Sequence, residues 1–314
     1  FLAFFDPGLR YGIASKLTEP LGSQGFRTTL EAITDAKLHC GTRFEVLTNG
    51  ENFYERMLSA IREAERSINM ECYIFKRGKI AQRFVEALAE RAAAGVKVNL
   101  ALDAIGSFST SEKYLQPLLA AGGKVGWYHP LRWNTWPRLN NRTHRELLII
   151  DGKRGFIGGA GIADHWYTGD RKHPRWRDTM LRVDGDVAIS LQATFMENWL
   201  EAKGEILLGD EYFPEYRVDG EDAVMVVNSS PSAGGSTRAR VLFQTLVSAA
   251  EKSICITTPY FLPDTSLRKE LIRAIQRGVD VKIITPGKRS DHALTRTSSR
   301  RLYGELLQAG ARIF

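Results

Sequence analysis

The chain has 314 residues, 43% of them hydrophobic and 25% charged, which excludes a disordered chain and leaves room for one large or two medium globular domains. Lys and Arg outnumber Asp and Glu by 43 to 36, a formal net charge of +7. Such a surface attracts polyanions, nucleic acid and anionic membrane alike, and the sign of the charge does not choose between them. The three cysteines, Cys40, Cys72 and Cys255, lie far apart without paired spacing, which argues against a disulfide framework or a zinc site and for reduced, mostly buried thiols. No stretch reaches the about 20 apolar residues of a membrane-spanning helix; "FLAFF" at the start has only five. The chain opens on Phe1 rather than Met and stops on Phe314, so it is expected to be a piece of something longer, with any membrane anchor preceding Phe1.

In chain order, residues 1–42 read as an N-terminal extension. Beyond them comes an internal repeat, the signature of duplicated architecture. "AERSINMECYIF" (64–75) matches "AEKSICITTPYF" (250–261), "AAGVKVNLALD" (93–103) matches "QRGVDVKIITP" (276–286), and "LLAAGGKV" (118–125) matches "LLQAGARI" (306–313), all at a nearly constant offset. Each copy reads as a helix, a strand, a second helix ("IAQRFVEALAERAAAG" and "SLRKELIRAIQRG") and a further strand after Gly95 or Gly278, where helices usually stop. That alternation predicts an α/β fold of two similar lobes, each with a mixed, mostly parallel sheet flanked by helices. The expected divisions are a first lobe over 43–203, a linker over 204–235 rich in Gly, Pro, Ser and acid, and a second lobe over 236–314.

Between the copies, "THRELLIIDGKRGFIGG" (143–159) carries a good hairpin signal: two apolar strands joined at Asp-Gly. Strand alternation puts His144 and Glu146 on one face and Arg145 and Leu147 on the other. A histidine so placed acts as a nucleophile or general acid when a carboxylate orients its ring. Just upstream, "HPLRWNTWPRLNNR" interleaves Trp133 and Trp136 with Arg132, Arg138 and Arg142. It reads either as a loop with packed aromatics or as an interfacial patch for lipid headgroups. The basic segment "GKRSDHALTRTSSRR" (287–301) reads as solvated, or facing anionic lipid. The other histidines, His39, His129, His165, His173 and His292, lack metal-ligand spacing.

The hairpin resembles the motif of the phospholipase D superfamily, His-x-Lys, four residues, Asp, six residues, then Gly-x-x-Asn. His144, Asp151 and Gly158 fall in register, whereas Glu146 stands at the Lys position and Gly161 at the Asn position. The flanking "GGAGIADHW", "RWRDTMLRVDGDVAISLQATFMENWL" and "ITTPYFLPD" look like the cardiolipin synthase branch, and the resemblance covers roughly residues 43–314. It implies two lobes about a pseudo-two-fold axis, each giving one motif to a single active site. One histidine attacks the phosphodiester phosphorus and the other protonates the leaving alcohol, with phospholipid substrate and no metal or other cofactor. Carried over, His144 is the catalytic histidine and Asp178 the carboxylate that orients it. Asp151, counted with the catalytic set, reads chiefly as the support of the turn. Gly158 and Gly159 bring backbone close to phosphate, Gly161 is counted with the substrate-binding set at the Asn position, and Glu71 occupies a position where the family commonly carries an acid.

Two departures remain. Glu146 either faces substrate or pairs with a cation such as Arg142; on the first reading, Glu146→Lys should tighten phosphate binding. Gly161 offers no side-chain amide. Adding the repeat offset to His144 puts a second motif near position 332, past Phe314. The resulting expectation is a cardiolipin synthase-like phosphatidyltransferase on the cytoplasmic side of an anionic membrane. The alternatives are a phosphodiesterase of the same fold acting on nucleic acid, or a weakened member that binds anionic lipid without turnover.

Overall fold

In a computed structural model, residues 12–14, 19–130, 142–168, 175–229, 237–287 and 299–314 are described. The tryptophans and arginines at 132, 133, 136 and 138, His173, His292 and most of 287–301 lie outside them. The chain divides into two compact units, Leu38–Val226 and Phe1–Lys37 with Val227–Phe314.

The first unit contains β1 (Leu38–Thr48), α2 (Gly50–Glu63), β2 (Ser67–Cys72), α3 (Lys79–Ala93), β3 (Lys97–Asp103), α4 (Gln116–Ala120), β4 (Lys124–Tyr128), β5 (Glu146–Ile150), β6 (Arg154–Gly158), α5 (Asp164–Tyr167), β7 (Thr179–Asp184), α6 (Val187–Lys203) and β8 (Asp222–Met225). Among the described residues its strands form one sheet in the order β4-β3-β2-β5-β6-β7-β1-β8. Pairing is parallel across β4-β3-β2 and antiparallel from β5 to β8. The sheet is therefore mixed, but not mostly parallel: the parallel part is the repeated βαβ portion, and hairpins supply the rest.

Both faces are covered. Phe53, Tyr54, Leu58 and Ile61 of α2 and Phe84 and Leu88 of α3 pack on Ile68, Met70, Leu100 and Leu148. On the other face Leu191, Phe195 and Trp199 of α6 pack on Ala101, Leu147, Ile149 and Val183. The polar half of β2 also lies under α6, held by a side-chain ladder: Asn99 donates to Asn69 at 2.8 Å and Asn69 to Gln192 at 2.9 Å. The ladder pairs these buried amides with one another and leaves the Gln192 Nε2 without a partner.

The second unit contains α1 (Gln24–Thr34), α7 (Arg238–Ala249), β9 (Ser253–Thr257), α8 (Thr265–Gln276), β10 (Asp280–Ile284), α9 (Tyr303–Ala309) and β11 (Arg312–Ile313). Its three strands run parallel in the order β11-β10-β9. This is the order β4-β3-β2 over again, with helix-ending glycines at matching places: Gly95 and Gly278 have φ of 90° and 91°, Gly122 and Gly310 of 92° and 110°. The repeat in the sequence is thus a repeat of structure.

The unit boundaries differ from those expected. The division at 42/43 falls inside β1, and α1 packs on α7. Much of the expected linker belongs to the first unit, because Leu207 and Tyr212 are buried in the α6-side core and β8 joins the sheet. Cys72 is buried, but Cys40 and Cys255 are exposed, so most of the thiols are not buried.

Asp151 fastens the hairpin to the sheet. It sits at the β5-β6 turn with φ of 52°, and its carboxylate accepts from the backbone amides of Glu65 (3.1 Å), Arg66 (2.7 Å) and Ser67 (2.9 Å) at the start of β2. It stands at the opposite end of β5 from His144, and its contacts are those of a residue that holds the hairpin. Hydrogen bonds to a charged acceptor contribute about 1.5–3 kcal/mol each, and a buried donor left unpaired costs a similar amount. Asp151→Ala should lower unfolding stability by about 3 kcal/mol in urea denaturation, and Asp151→Asn by less. An unchanged midpoint for the alanine variant would contradict this assignment.

Candidate active site

His144 lies two residues before the start of β5, and β5 runs antiparallel to β2 with Leu147 opposite Glu71. The histidine therefore stands at the carboxyl ends of β2, β3 and β4, the edge at which open α/β sheets place their ligands. Its side chain is exposed, and its ring lies 4.1 Å from that of Tyr73, tilted by 43°. The alternation expected along the strand holds. Arg145 turns to α6, donating to the Thr194 carbonyl at 2.7 Å and to Glu197 at 3.0 Å, while Glu146 turns to the face of α2 and α3.

Glu146 is buried, and it pairs neither with Arg142 nor with another cation among the described residues. Its Oε1 accepts from the backbone amides of Tyr73 and Ile74, each at 3.2 Å. Burial pushes its carboxyl well above the ordinary range, against the opposing pull of those two amides and of the Cys72 thiol. Arg142 instead lies 3.7 Å from Asp103 and donates to the His129 carbonyl at 2.9 Å.

The expected hydrogen bond from the His144 imidazole to the Asp178 carboxylate is absent. Asp178 accepts from the Trp166 indole N–H at 3.1 Å and from the Thr179 amide at 2.8 Å, and burial raises its carboxyl above the usual range. A Cβ at Gly158 would meet the Thr179 carbonyl at 2.5 Å, one at Gly159 the Asp178 carboxylate at 2.7 Å, and one at Gly161 the Ile74 carbonyl at 2.5 Å. Their missing side chains make room for this chain's own backbone and carboxylates.

Glu71 faces α6 and is fully buried. Thr143 and Asn198 each donate to its Oε1 at 2.5 Å, and Oε2 has no hydrogen-bond partner. Burial is the chief cause that raises its pKa to about 7, with the Thr143 and Asn198 hydrogen bonds opposing. Thr143 also donates its amide to Asp103 at 3.2 Å, so the residue just before His144 is held from two sides. Sequence reasoning missed Tyr73, Thr143, Asn198 and Asp103. Asp103 follows the apolar run Leu100–Leu102 at the end of β3 and Thr143 adjoins the histidine, both readable signals; Asn198 inside a helix offers none.

The fold and the hairpin together define a phospholipase D-like α/β protein. Its sequence matches the family described as cardiolipin synthase, phospholipase D-like domain, over residues 57–171 and 243–314, and the chain belongs to that family. It is 33% identical over 310 residues to cardiolipin synthase 1 of Bacillus cereus, covering 95% of this chain and 60% of that protein. It is also 33% identical over 287 residues to the probable cardiolipin synthase YwiE of Bacillus subtilis, covering 90% and 57%. The chain thus spans little more than half the length of these relatives. Among solved structures, phosphatidylserine synthase of Haemophilus influenzae shares the fold with a TM-score of 0.63 at 14% identity, over 92% of this chain and 76% of that one.

Glu71 has a consequence for stability. Its folded pKa of about 7 exceeds the ordinary glutamate value of 4.5, so between those values the folded state holds a proton that the unfolded state has released. Stability therefore falls as pH rises through this window and levels off above it, by roughly 3 kcal/mol in all. Glu71→Gln removes this dependence: its stability relative to the parent should increase from pH 5 to pH 7.5 in denaturation curves. A constant difference would contradict the raised pKa.

Proposed function

We propose that the protein is a phosphatidyltransferase that works on phospholipid phosphodiesters at a membrane surface, with His144 as the covalent nucleophile. A ring nitrogen of His144 attacks the donor phosphorus; the N–P bond forms as the bond to the leaving alcohol breaks, and an acid protonates that alcohol. An acceptor alcohol then attacks phosphorus, the N–P bond breaks and the alcohol proton passes to a base. The observation that carries this reading is an exposed histidine at the carboxyl ends of the parallel strands, in register with Asp151 and Gly158. Membership of the cardiolipin synthase family and the net positive charge support lipid as the substrate class. Among the described residues no helix is long and apolar enough to cross a membrane. The proton donor and the positive charge for the phosphate are assigned to a second motif following the second copy of the repeat.

The test uses the full-length protein with vesicles containing phosphatidylglycerol, against single-stranded DNA. Cardiolipin and glycerol should form, and His144→Ala should lower the rate about a thousandfold or more, as loss of a nucleophile does. Cleavage of DNA without lipid transfer would support the nuclease reading. Lipid binding without turnover would support the weakened member. Undiminished transfer by the His144→Ala variant would remove His144 from the reaction.

A further inference from the structure

The two departures from the family motif touch each other. A Cβ added at Gly161 would lie 3.0 Å from Glu146 Oε1 and 2.8 Å from the Ile74 Cβ. Ile74, whose carbonyl would lie at 2.5 Å, and Glu146 together close the space that a side chain at 161 would enter. Around it the 73–76 and 161–162 segments are zipped together: Ile162 donates its amide to the Ile74 carbonyl at 2.7 Å, Lys76 to the Ile162 carbonyl at 2.9 Å, and the buried Tyr54 hydroxyl to the Gly161 carbonyl at 2.5 Å. Within that zip the amides of Tyr73 and Ile74 point at Glu146.

We infer that Glu146 and Gly161 act as one coupled pair, in which the carboxyl at 146 turns inward to hold the Tyr73–Ile74 backbone and so positions the Tyr73 ring against His144. Glu146 is a positioning residue and makes no contact with phosphate. A buried acceptor for two backbone donors is what the site requires, and a lysine offers only donors there. Glutamine keeps the acceptor oxygen. Replacing Glu146 by lysine alone therefore does not restore the family's phosphate site; it leaves two amides unpaired and buries an ammonium group without a partner. An asparagine at 161 is excluded by the Ile74 carbonyl unless the 73–74 backbone moves. The hold on the backbone is independent of the reaction, whereas its importance for catalysis rests on His144 being the reacting residue.

Hydrogen exchange followed by mass spectrometry, on full-length protein without substrate, reads the amides of 73 and 74 directly; the labelling rate of His144 with diethyl pyrocarbonate reads the ring contact. In Glu146→Lys and in Gly161→Ala, protection at 73–74 should fall about tenfold, the loss of one such hydrogen bond, and His144 labelling should speed up several-fold. Glu146→Gln should keep both near the parent values. Orthovanadate should bind the lysine variant no more tightly than the parent. The inference is overturned if Glu146→Lys leaves 73–74 protected, if Glu146→Gln loses protection as fully as the lysine variant, or if the lysine variant binds vanadate more tightly with 73–74 intact. If lysine at 146 prevents folding, Gly161→Ala and Glu146→Gln decide by the same measures. None of these readings needs turnover, so they stand apart from the fate of the phosphatidyltransferase proposal.

Discussion

Strand β5 is fastened to both ends of β2 by carboxyl groups, and the site's geometry follows from that. Asp151, at one end of β5, takes the amides of Glu65 to Ser67 as β2 begins. Glu146, at the other end, takes the amides of Tyr73 and Ile74 just after β2 ends. A slip of one residue in pairing would turn every side chain of β5 to the opposite face and would also remove both grips. The register that places His144 beside Tyr73 is therefore specified twice, once at each end.

This arrangement settles where positive charge is not. Arg145 is engaged with Thr194 and Glu197, Arg142 with Asp103 and His129, and position 146 carries an inward-turned carboxyl. Among the described residues, His144 thus has the Tyr73 ring beside it, and both neighbouring arginines are committed elsewhere. Preorganised charge and hydrogen-bond donors usually do more than any other single effect to lower the barrier of such reactions. On the proposal that His144 is the nucleophile, that stabilisation comes from groups beyond the 142–146 segment.

Much of this was legible in the sequence. The repeat predicted paired βαβ portions because the apolar runs and helix-ending glycines recur at one spacing, and the structure matches strand for strand. The hairpin and the facing of Arg145 followed from period-two alternation. The mixed character of the sheet was less legible: β5 to β8 pair antiparallel, and no local pattern says which edge of β2 they join. The polar side chains of β2, Asn69 and Glu71, alternate with apolar ones as in a half-exposed strand, yet they are buried because Gln192 and Asn198, far away in sequence, meet them. The direction of the Asp178 side chain depends likewise on Trp166. As for Glu146, the motif marked it as anomalous, but only the adjacency of Gly161 explains the anomaly.

At the centre of the site, the carboxyl at 146 belongs to the backbone and not to the substrate. The most direct measurement of this is a structure of the full-length protein with orthovanadate bound at His144. Glu146 is expected to stay on the amides of Tyr73 and Ile74, with the oxyanion held by His144 and by groups outside residues 142–146. A Glu146 carboxyl released from those amides and hydrogen-bonded to the vanadate would contradict it.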